Sequence, residues 1–256
     1  MRVLVTGGAG ALGSAVVEEL RRRGHEPRPA SRRFGVDLAT GEGLPVAVAS
    51  AEAVVHCATR PLRPKVVDVG GTRRLAAEAA KAAVMPHLVY ISIVGCDANP
   101  YPYYRAKAEA EEVLALSGVP ATVVRATQFH SLAAAVAGAL TLGPVALTLG
   151  DMAMQPVDAA WVASRLVDVA TGPRPDGLAR ATDLAGPELL TMAEVASALR
   201  RHAGKGAPHI VRLPPVGGTL RAFSARSNIP GPEAQTGGAT FSQWLESNRP
   251  RGVSAR

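Results

Sequence analysis

The sequence predicts an α/β fold built on a doubly wound parallel sheet, because short apolar runs alternate with helical patterns from the first residues onward. Aromatic residues make up only 4% of the 256 residues, while Ala, Val, Leu and Gly are abundant. That composition favours a parallel sheet covered by helices over an all-β sandwich. A glycine-spaced turn after the first apolar run also fits this fold class.

Five short apolar runs predict the strands of the sheet. They are residues 3–5, 27–30, 53–56, 88–91 and 122–124. The helical patterns between them predict helices near residues 11–23, 66–84 and 103–117. Gly24, Pro86 and Pro120 are suitable stops for these helices. The alternation predicts right-handed βαβ units.

The pattern changes after Arg125, where residues 131–150 carry almost no charge. Residues 131–247 are expected to form a mixed, substrate-binding part interleaved with the first 130 residues in a single structural domain. Residues 248–256 are expected to be a frayed tail.

Helix signals also occur in this second part of the chain. Asp158 is a plausible N-cap for a helix that runs through Ala170. Thr191 and Glu194 match a capping box before a helix that ends near His202. Loops are predicted for residues 171–187, residues 204–238 are rich in proline and glycine, and residues 241–245 suggest a final short helix.

The turn at residues 6–13 is the strongest functional signal. It reads Thr6-Gly7-Gly8-Ala9-Gly10-Ala11-Leu12-Gly13, with a strand before it and a helix after it. Such a turn directs unpaired backbone N–H groups and the positive end of a helix dipole outward, which suits a pyrophosphate. The plain alternative is a tight turn without a ligand.

Tyr103 and Lys107 form a second constellation at the start of a predicted helix. A spacing of four puts both side chains on one face of that helix. A lysine ammonium near a phenol favours the phenolate, which brings tyrosine into use for acid/base chemistry. Ser92 ends the fourth strand and is expected at the carboxyl edge of the sheet, where it would donate to a substrate oxygen beside Tyr103.

With these motifs the sequence resembles the short-chain dehydrogenase/reductases, in an extended or atypical branch near the NmrA-like NAD(P)H-binding proteins. The resemblance is carried by the glycine turn, Asp37-Leu38, Cys57-Ala58-Thr59, Gly71-Thr72 and Tyr103 with Lys107. It implies a Rossmann fold in which residues 1–130 are the NAD(P)-binding core. Asp68 departs from the family pattern, since many extended members have asparagine there, and only ten residues separate Ser92 from Tyr103.

The resemblance also implies roles for individual residues. Tyr103 would give a proton to a carbonyl oxygen, Lys107 would hold the nicotinamide ribose, and Ser92 would orient the substrate. The residues implied around the cofactor are Gly7, Gly10, Ala11, Leu12 and Gly13 at the pyrophosphate, Asp37 and Leu38 at the adenine, Cys57, Ala58 and Thr59 at the adenosine and ribose, and Ala126, Thr127, Gln128 and Phe129 near the nicotinamide.

The end of the second strand predicts which cofactor is preferred. NAD sites place an acid on the ribose 2′-hydroxyl there, whereas this chain has Ser31, Arg32 and Arg33. Guanidinium groups match a 2′-phosphate with charge-assisted hydrogen bonds, so NADP(H) is preferred over NAD(H). The alternative is that both arginines are solvated loop residues.

Substrate residues are indicated more weakly. His130, Val94 and Met154 are candidates, and the apolar stretch at residues 132–149 is expected either to wall the substrate cavity or to pack in the core. The scarcity of charge favours a small, mostly apolar ketone, quinone or enone over a sugar nucleotide. Two other functions stay open, an epimerase or dehydratase that retains its nucleotide, and an NADP(H) sensor without turnover.

Composition limits the remaining functions. The net charge is +7, but no basic run exceeds three residues, so nucleic-acid binding is not expected. Cys57 and Cys96 form neither a CxxC motif nor a Cys/His cluster, so neither a metal site nor a disulfide is expected. The sequence shows no signal peptide or membrane span, which predicts a cytoplasmic protein that acts on a small molecule. The family resemblance implies a homodimer.

Overall fold

A parallel β-sheet lies at the centre of the molecule, which confirms the predicted fold class. The computed structural model describes residues 1–248, so all of the predicted tail at 248–256 except its first residue lies outside the described residues. The strands, in chain order, are β1 (Arg2–Thr6), β2 (Glu26–Ala30), β3 (Ala53–His56), β4 (His87–Ile93), β5 (Ala121–Ala126), β6 (Thr141–Leu142), β7 (Val145–Leu149), β8 (Ala153–Met154), β9 (Leu178–Arg180), β10 (Leu184–Ala185), β11 (Leu190–Thr191), β12 (His209–Leu213) and β13 (Gln235–Thr236).

The main sheet has the order β13-β10-β5-β4-β3-β1-β2, with β9 also paired to β5, and all of these pairings are parallel. Two small sheets stand apart from it, an antiparallel pair of β8 and β11, and a three-stranded sheet of β12, β7 and β6. The α-helices are α1 (Ala11–Arg22), α2 (Leu44–Ala49), α3 (Gly70–Ala80), α4 (Pro102–Ala115), α5 (His130–Ala139), α6 (Ala159–Thr171), α7 (Met192–His202), α8 (Gly218–Ser224) and α9 (Phe241–Ser247).

Apolar residues of the central strands are buried on both faces of the sheet. Val3 and Val5 of β1 pack with α1 and α6, whereas Leu4 between them packs on the other side with α2, α3 and α4. This two-sided burial explains why the strands read as continuous apolar runs in the sequence. It places the sheet between two helical layers.

The helix predicted at residues 66–84 differs from prediction. A π-helical turn at Lys65–Val69 precedes α3, and the helix ends at Ala80. In the turn the N–H of Gly70 donates to the carbonyl of Lys65, five residues earlier. Bonds from Lys81 and Ala82 back to the preceding turn close the helix. The π turn leaves Asp68 fully buried.

The predicted loop at residues 171–187 contains β9 and β10, and the segment at 204–238 contains β12, α8 and β13. These strands are two to five residues long, too short for a clear alternation of apolar and polar residues. Pairing with strands from elsewhere in the chain stabilises them. For example, β9 and β10 both pair with the edge of β5.

Residues after 130 contribute both to the main sheet and to a separate cluster. β9, β10 and β13 extend the sheet and α6 packs on it, while α5, α7 and α9 share a core that includes Met192, Val195 and Phe241. The division at residue 130 stays a prediction. Within residues 1–248, no helix is long and apolar enough to cross a membrane.

Candidate active site

A cavity of about 800 Å³ opens at the carboxyl edge of the main sheet. The segments that follow β1, β2, β3, β4 and β5 all contribute to its wall, together with residues of α4, α5 and α8. Because these strands are parallel, the chain leaves each of them at the same edge, which is where open α/β sheets bind ligands. This edge is the candidate active site.

The glycine turn forms one end of the cavity and has no room for side chains. Gly7 has a φ of +70°, and a Cβ on it would approach the Ala58 backbone to 2.8 Å. A Cβ on Gly13 would overlap the carbonyl oxygen of Gly7. Gly10 begins α1 without a capping side chain, so the N–H groups of the first turn remain available. The turn fits a pyrophosphate.

The two arginines after β2 have different positions. Ser31 and Arg32 line the cavity, as do Asp37 and Leu38, but Arg33 is not among the described residues that line it. The carboxylate of Asp37 accepts a hydrogen bond of 2.8 Å from the N–H of Ala39, so it is engaged in its own turn. Of these two arginines, Arg32 is therefore the one placed to meet an anionic group in the cavity.

Tyr103 and Lys107 both line the cavity from the first turns of α4. The Lys107 ammonium lies 5.8 Å from the centre of the Tyr103 ring and donates to the carbonyl of Ile91 at 3.1 Å. The phenol oxygen of Tyr103 is 2.9 Å from Oγ1 of Thr59, in the loop after β3. The structure thus brings the predicted acid and its lysine to one place.

Asp68 joins this group, although no role was predicted for it. Its Oδ1 lies 3.3 Å from the Lys107 ammonium and 2.7 Å from Thr59 Oγ1, and both members of the ion pair are buried. Its Oδ2 accepts from the N–H of Arg60 at 3.1 Å. Burial by itself would lower the pKa of Lys107, but the phenols of Tyr90 and Tyr103 and the Asp68 carboxylate raise it above its usual range. The ion pair with Asp68 therefore favours the charged form of Lys107.

A buried hydrogen-bond chain fixes the backbone of Asp68. Thr72 Oγ1 donates to the Asp68 carbonyl, so Thr72 must accept from Nε2 of His56, 2.9 Å away. Nδ1 of His56 then accepts from Thr6 Oγ1 at 2.6 Å. Burial and, to a lesser extent, the nearby Lys107 charge together lower the pKa of His56 to about 3, so the ring is neutral.

Ser92 is buried at the end of β4 and lines the cavity. Its hydroxyl lies 3.8 Å from the Cys96 sulfur. Burial raises the pKa of Cys96 to about 11, so this thiol stays neutral. The role of Ser92 in orienting a substrate stays a prediction.

A second chain of polar side chains lines the cavity beside Tyr104. The Gln128 amide donates to the Tyr104 phenol oxygen at 3.0 Å, and the Asn228 amide donates to Gln128 Oε1 at 3.3 Å and to the Ala153 carbonyl at 2.9 Å. All three side chains line the cavity. Nothing in the sequence pointed to Asn228, because it lies in the segment rich in proline and glycine.

The rest of this end of the cavity is apolar. Its walls contain Leu132, Val136, Leu149, Met152, Met154, Leu220 and Phe223. The first five belong to the apolar stretch at residues 132–149 and the methionines after it, whereas α8 supplies the last two. Phe223 also packs edge-on against Tyr104, with ring centres 5.5 Å apart.

The described lining does not include His130 or Val94. His130 is buried at the start of α5, where Nε2 lies 3.0 Å from the Ala239 carbonyl and the ring packs against Phe241 and Trp244. Val94 is buried after β4, and its N–H donates to the Ala126 carbonyl. Both residues therefore hold the fold together around the cavity. Of the three predicted substrate residues, only Met154 lies in the wall.

Among the other predicted cofactor residues, Cys57 and Ala58 line the cavity after β3, and Ala126, Thr127 and Phe129 line it after β5. Burial raises the pKa of Cys57 to about 12, so it presents a neutral thiol. These residues and Thr59 form a continuous lining between the glycine turn and Tyr103.

Residues 3–129 match the sequence model of the NAD dependent epimerase/dehydratase family. The matched residues thus belong to the NAD dependent epimerase/dehydratase family, which is part of the extended short-chain dehydrogenase/reductases. The matched residues contain the glycine turn, Tyr103 and Lys107, which line the cavity, and Asp68, which is paired with Lys107. No protein of curated function matches the sequence.

Solved structures resemble this chain over nearly its whole length. The UDP-glucose 4-epimerase of Thermus thermophilus, in complex with NAD, is 20% identical with a TM-score of 0.72, over 98% of this chain and 100% of that one. An NADPH-dependent quinone oxidoreductase of Escherichia coli, complexed with NADPH, is 19% identical with a TM-score of 0.71, over 96% and 99% of the two chains. At such identities these likenesses show the fold alone.

Proposed function

We propose that this chain is an NADPH-dependent reductase of a small, mostly apolar carbonyl, quinone or enone compound. One observation carries the proposal: a single cavity joins the glycine turn and Arg32 to Tyr103, and its far end is apolar. A dinucleotide and an apolar substrate would then meet beside a proton donor.

The cofactor would be held by backbone and side-chain groups in this lining. The first turn of α1 would bind the pyrophosphate, Arg32 a ribose 2′-phosphate, and the segment after β5 would lie beside the nicotinamide. When bound, the nicotinamide supplies a hydride to the substrate.

Tyr103 would supply the proton. Its phenol group lies in the cavity with Lys107 on the next turn of α4, and a substrate oxygen that enters the apolar end would accept its hydrogen. Lys107 would stabilise the phenolate that remains, since its raised pKa favours the charged ammonium. Tyr104, whose oxygen accepts from Gln128, keeps its own hydrogen for a second substrate contact.

The charge of the lining supports an uncharged substrate. Among the described lining residues the charged side chains are Arg32, Asp37, Arg60 and Lys107, and Lys107 is paired with Asp68. None of them belongs to the apolar end. A nucleoside diphosphate sugar would bring a pyrophosphate of its own, and a buried phosphate without a cationic partner binds poorly.

An epimerase or dehydratase is the second candidate, because the family match bears that description. Arg60 favours this function, because it lies in the loop after β3, lines the cavity and carries a positive charge that could bind a substrate phosphate. The third candidate is an NmrA-like NADP(H) sensor, which has no need of the Tyr103 and Lys107 pair.

Binding and turnover together separate these functions. The purified protein is titrated with NADPH and NADH, and oxidation of the bound nucleotide is followed with a set of apolar ketones, quinones and enones. UDP-glucose is incubated with the protein separately and its products are identified by nuclear magnetic resonance, because an epimerase leaves its nucleotide unchanged overall. We expect turnover of apolar substrates that falls about 10²–10⁴-fold in Tyr103→Phe with little change in NADPH affinity. Conversion of UDP-glucose alone would favour the epimerase, and tight binding without turnover the sensor.

A further inference from the structure

Thr59 and Asp68 link the two residues of the acid/base pair. Thr59 Oγ1 lies 2.9 Å from the phenol oxygen of Tyr103 and 2.7 Å from Asp68 Oδ1, and Asp68 Oδ1 lies 3.3 Å from the Lys107 ammonium. Four polar groups from three different segments therefore form one connected network. The proposed function accounts for only two of them.

Hydrogen-bond directions in this network follow from the donor count. The Asp68 carboxylate, paired with an ammonium, can only accept, so the single hydrogen of the Thr59 hydroxyl goes to Asp68. Thr59 Oγ1 must then accept from Tyr103, which means that the phenol holds its hydrogen and directs it to Thr59. A phenolate in this place would have no donor from Thr59.

The charge of Asp68 also favours the protonated form of Tyr103. An ammonium beside a phenol favours the phenolate, and an adjacent carboxylate opposes that effect. The two charges are buried, where each is felt more strongly than in water. Asp68 therefore cancels part of the field that Lys107 exerts at Tyr103, whereas a neutral asparagine at this position would leave that field intact.

Among the groups around Tyr103, Asp68 is the negative charge that opposes formation of the phenolate. The other titratable groups packed around the network are neutral: His56 and Cys57 at the end of β3, Tyr90 on β4, and Tyr104 on α4. Burial is the main cause of each of their pKa shifts. Tyr101 lies beside Tyr104 at the start of α4, and Arg60 reaches Asp68 through its backbone N–H.

We propose that Asp68 and Thr59 are positioning residues that keep the hydrogen on the Tyr103 phenol until a substrate oxygen replaces Thr59 Oγ1 as its acceptor. The inference rests on the proposed function, in which Tyr103 Oη gives its proton to the substrate oxygen and becomes a phenolate.

The test is a pH titration of Tyr103 in the full chain without cofactor or substrate. Ultraviolet absorbance of phenolate is recorded for each protein and for its Tyr103→Phe counterpart, so that the difference isolates Tyr103 from the other tyrosines. In Asp68→Asn we expect the Tyr103 phenolate to appear at a pH lower by about one unit or more. In Asp97→Asn, which removes a carboxylate paired with Arg125 outside the cavity, we expect no change.

Thr59→Val is the second variant, because it leaves the ion pair intact and buries no unpaired charge. It removes the acceptor of the Tyr103 hydrogen, so phenolate should again form at lower pH, while Thr59→Ser should restore the original titration. The inference is overturned if phenolate appears at the same pH in the original protein, Asp68→Asn and Thr59→Val. Failure to turn over any substrate would instead overturn the proposed function, since this titration needs no substrate.

Discussion

Arg32 and Arg33 differ in whether they line the cavity, although they are adjacent in the sequence. Both follow β2 and both match a 2′-phosphate in chemistry, but the cavity wall includes Arg32 and its described lining leaves out Arg33. The sequence alone treated them as a pair, because neighbouring residues in a turn cannot be assigned to a side from their order.

Replacing each arginine separately tests this difference. We expect Arg32→Ala to weaken NADPH binding about 10–100-fold, the effect of losing a charge-assisted hydrogen bond, with little change for NADH. Arg33→Ala is the matched control, with equal loss of charge and little loss of affinity. Dissociation constants measured by fluorescence titration decide the matter. Equal losses in the two variants would show that the 2′-phosphate lies between them.

At the scale of elements, His56 ties β1, β3 and α3 together. Its ring lies between Thr6 on β1 and Thr72 on α3, and it is neutral because burial lowers its pKa to about 3. In the unfolded chain its pKa is about 6.5. Above that value the ring is neutral in both states and adds no pH dependence.

Below about pH 6.5 the unfolded chain binds a proton at His56 that the folded chain does not bind. The free energy of unfolding should therefore fall as the pH falls, by about 1.4 kcal/mol for each pH unit from this residue, until the pH nears 3. Burial lowers the pKa of His87 and His130 in the same direction, so the total slope is steeper. Urea unfolding at several pH values measures it. His56→Gln should reduce the slope by the share of His56, and an unchanged slope would contradict this account.

The elements themselves were largely predictable, and the exceptions have a physical reason. The caps at Asp158, Thr191 and Glu194 form as predicted, since a cap depends only on residues two or three apart. The π turn that buries Asp68 carries no such local signal. For the same reason Tyr103 and Lys107 were predictable from their spacing, whereas the link through Thr59 and Asp68 depends on segments far apart in the sequence.

On the scale of the whole molecule, the second half of the chain completes the cavity that the first half begins. α8 places Leu220 and Phe223 in the wall, and Phe223 packs against Tyr101 and Tyr104 at the start of α4. No motif in the sequence linked α8 to the site. Substrate choice should thus depend on residues outside the family match.

Phe223→Ala tests whether α8 affects substrate binding without affecting cofactor binding. Loss of the ring opens the apolar end, so we expect the KM for an apolar substrate to rise about tenfold or more, while NADPH affinity stays within about twofold. Steady-state kinetics and nucleotide titration on the same preparation give both values. A matched loss of NADPH affinity would mean that α8 supports the cofactor end as well.

The crossing of late strands into the main sheet also affects how the protein is made. β5 lies between β4 and the short strands β9 and β10, and β10 in turn pairs with β13 near the end of the described residues. During synthesis β5 emerges from the ribosome before β9 and β10, so the edge of β5 that binds them is unpaired until they emerge. Non-local pairing of this kind slows folding. The nascent chain should therefore depend on chaperones until its last strands have emerged.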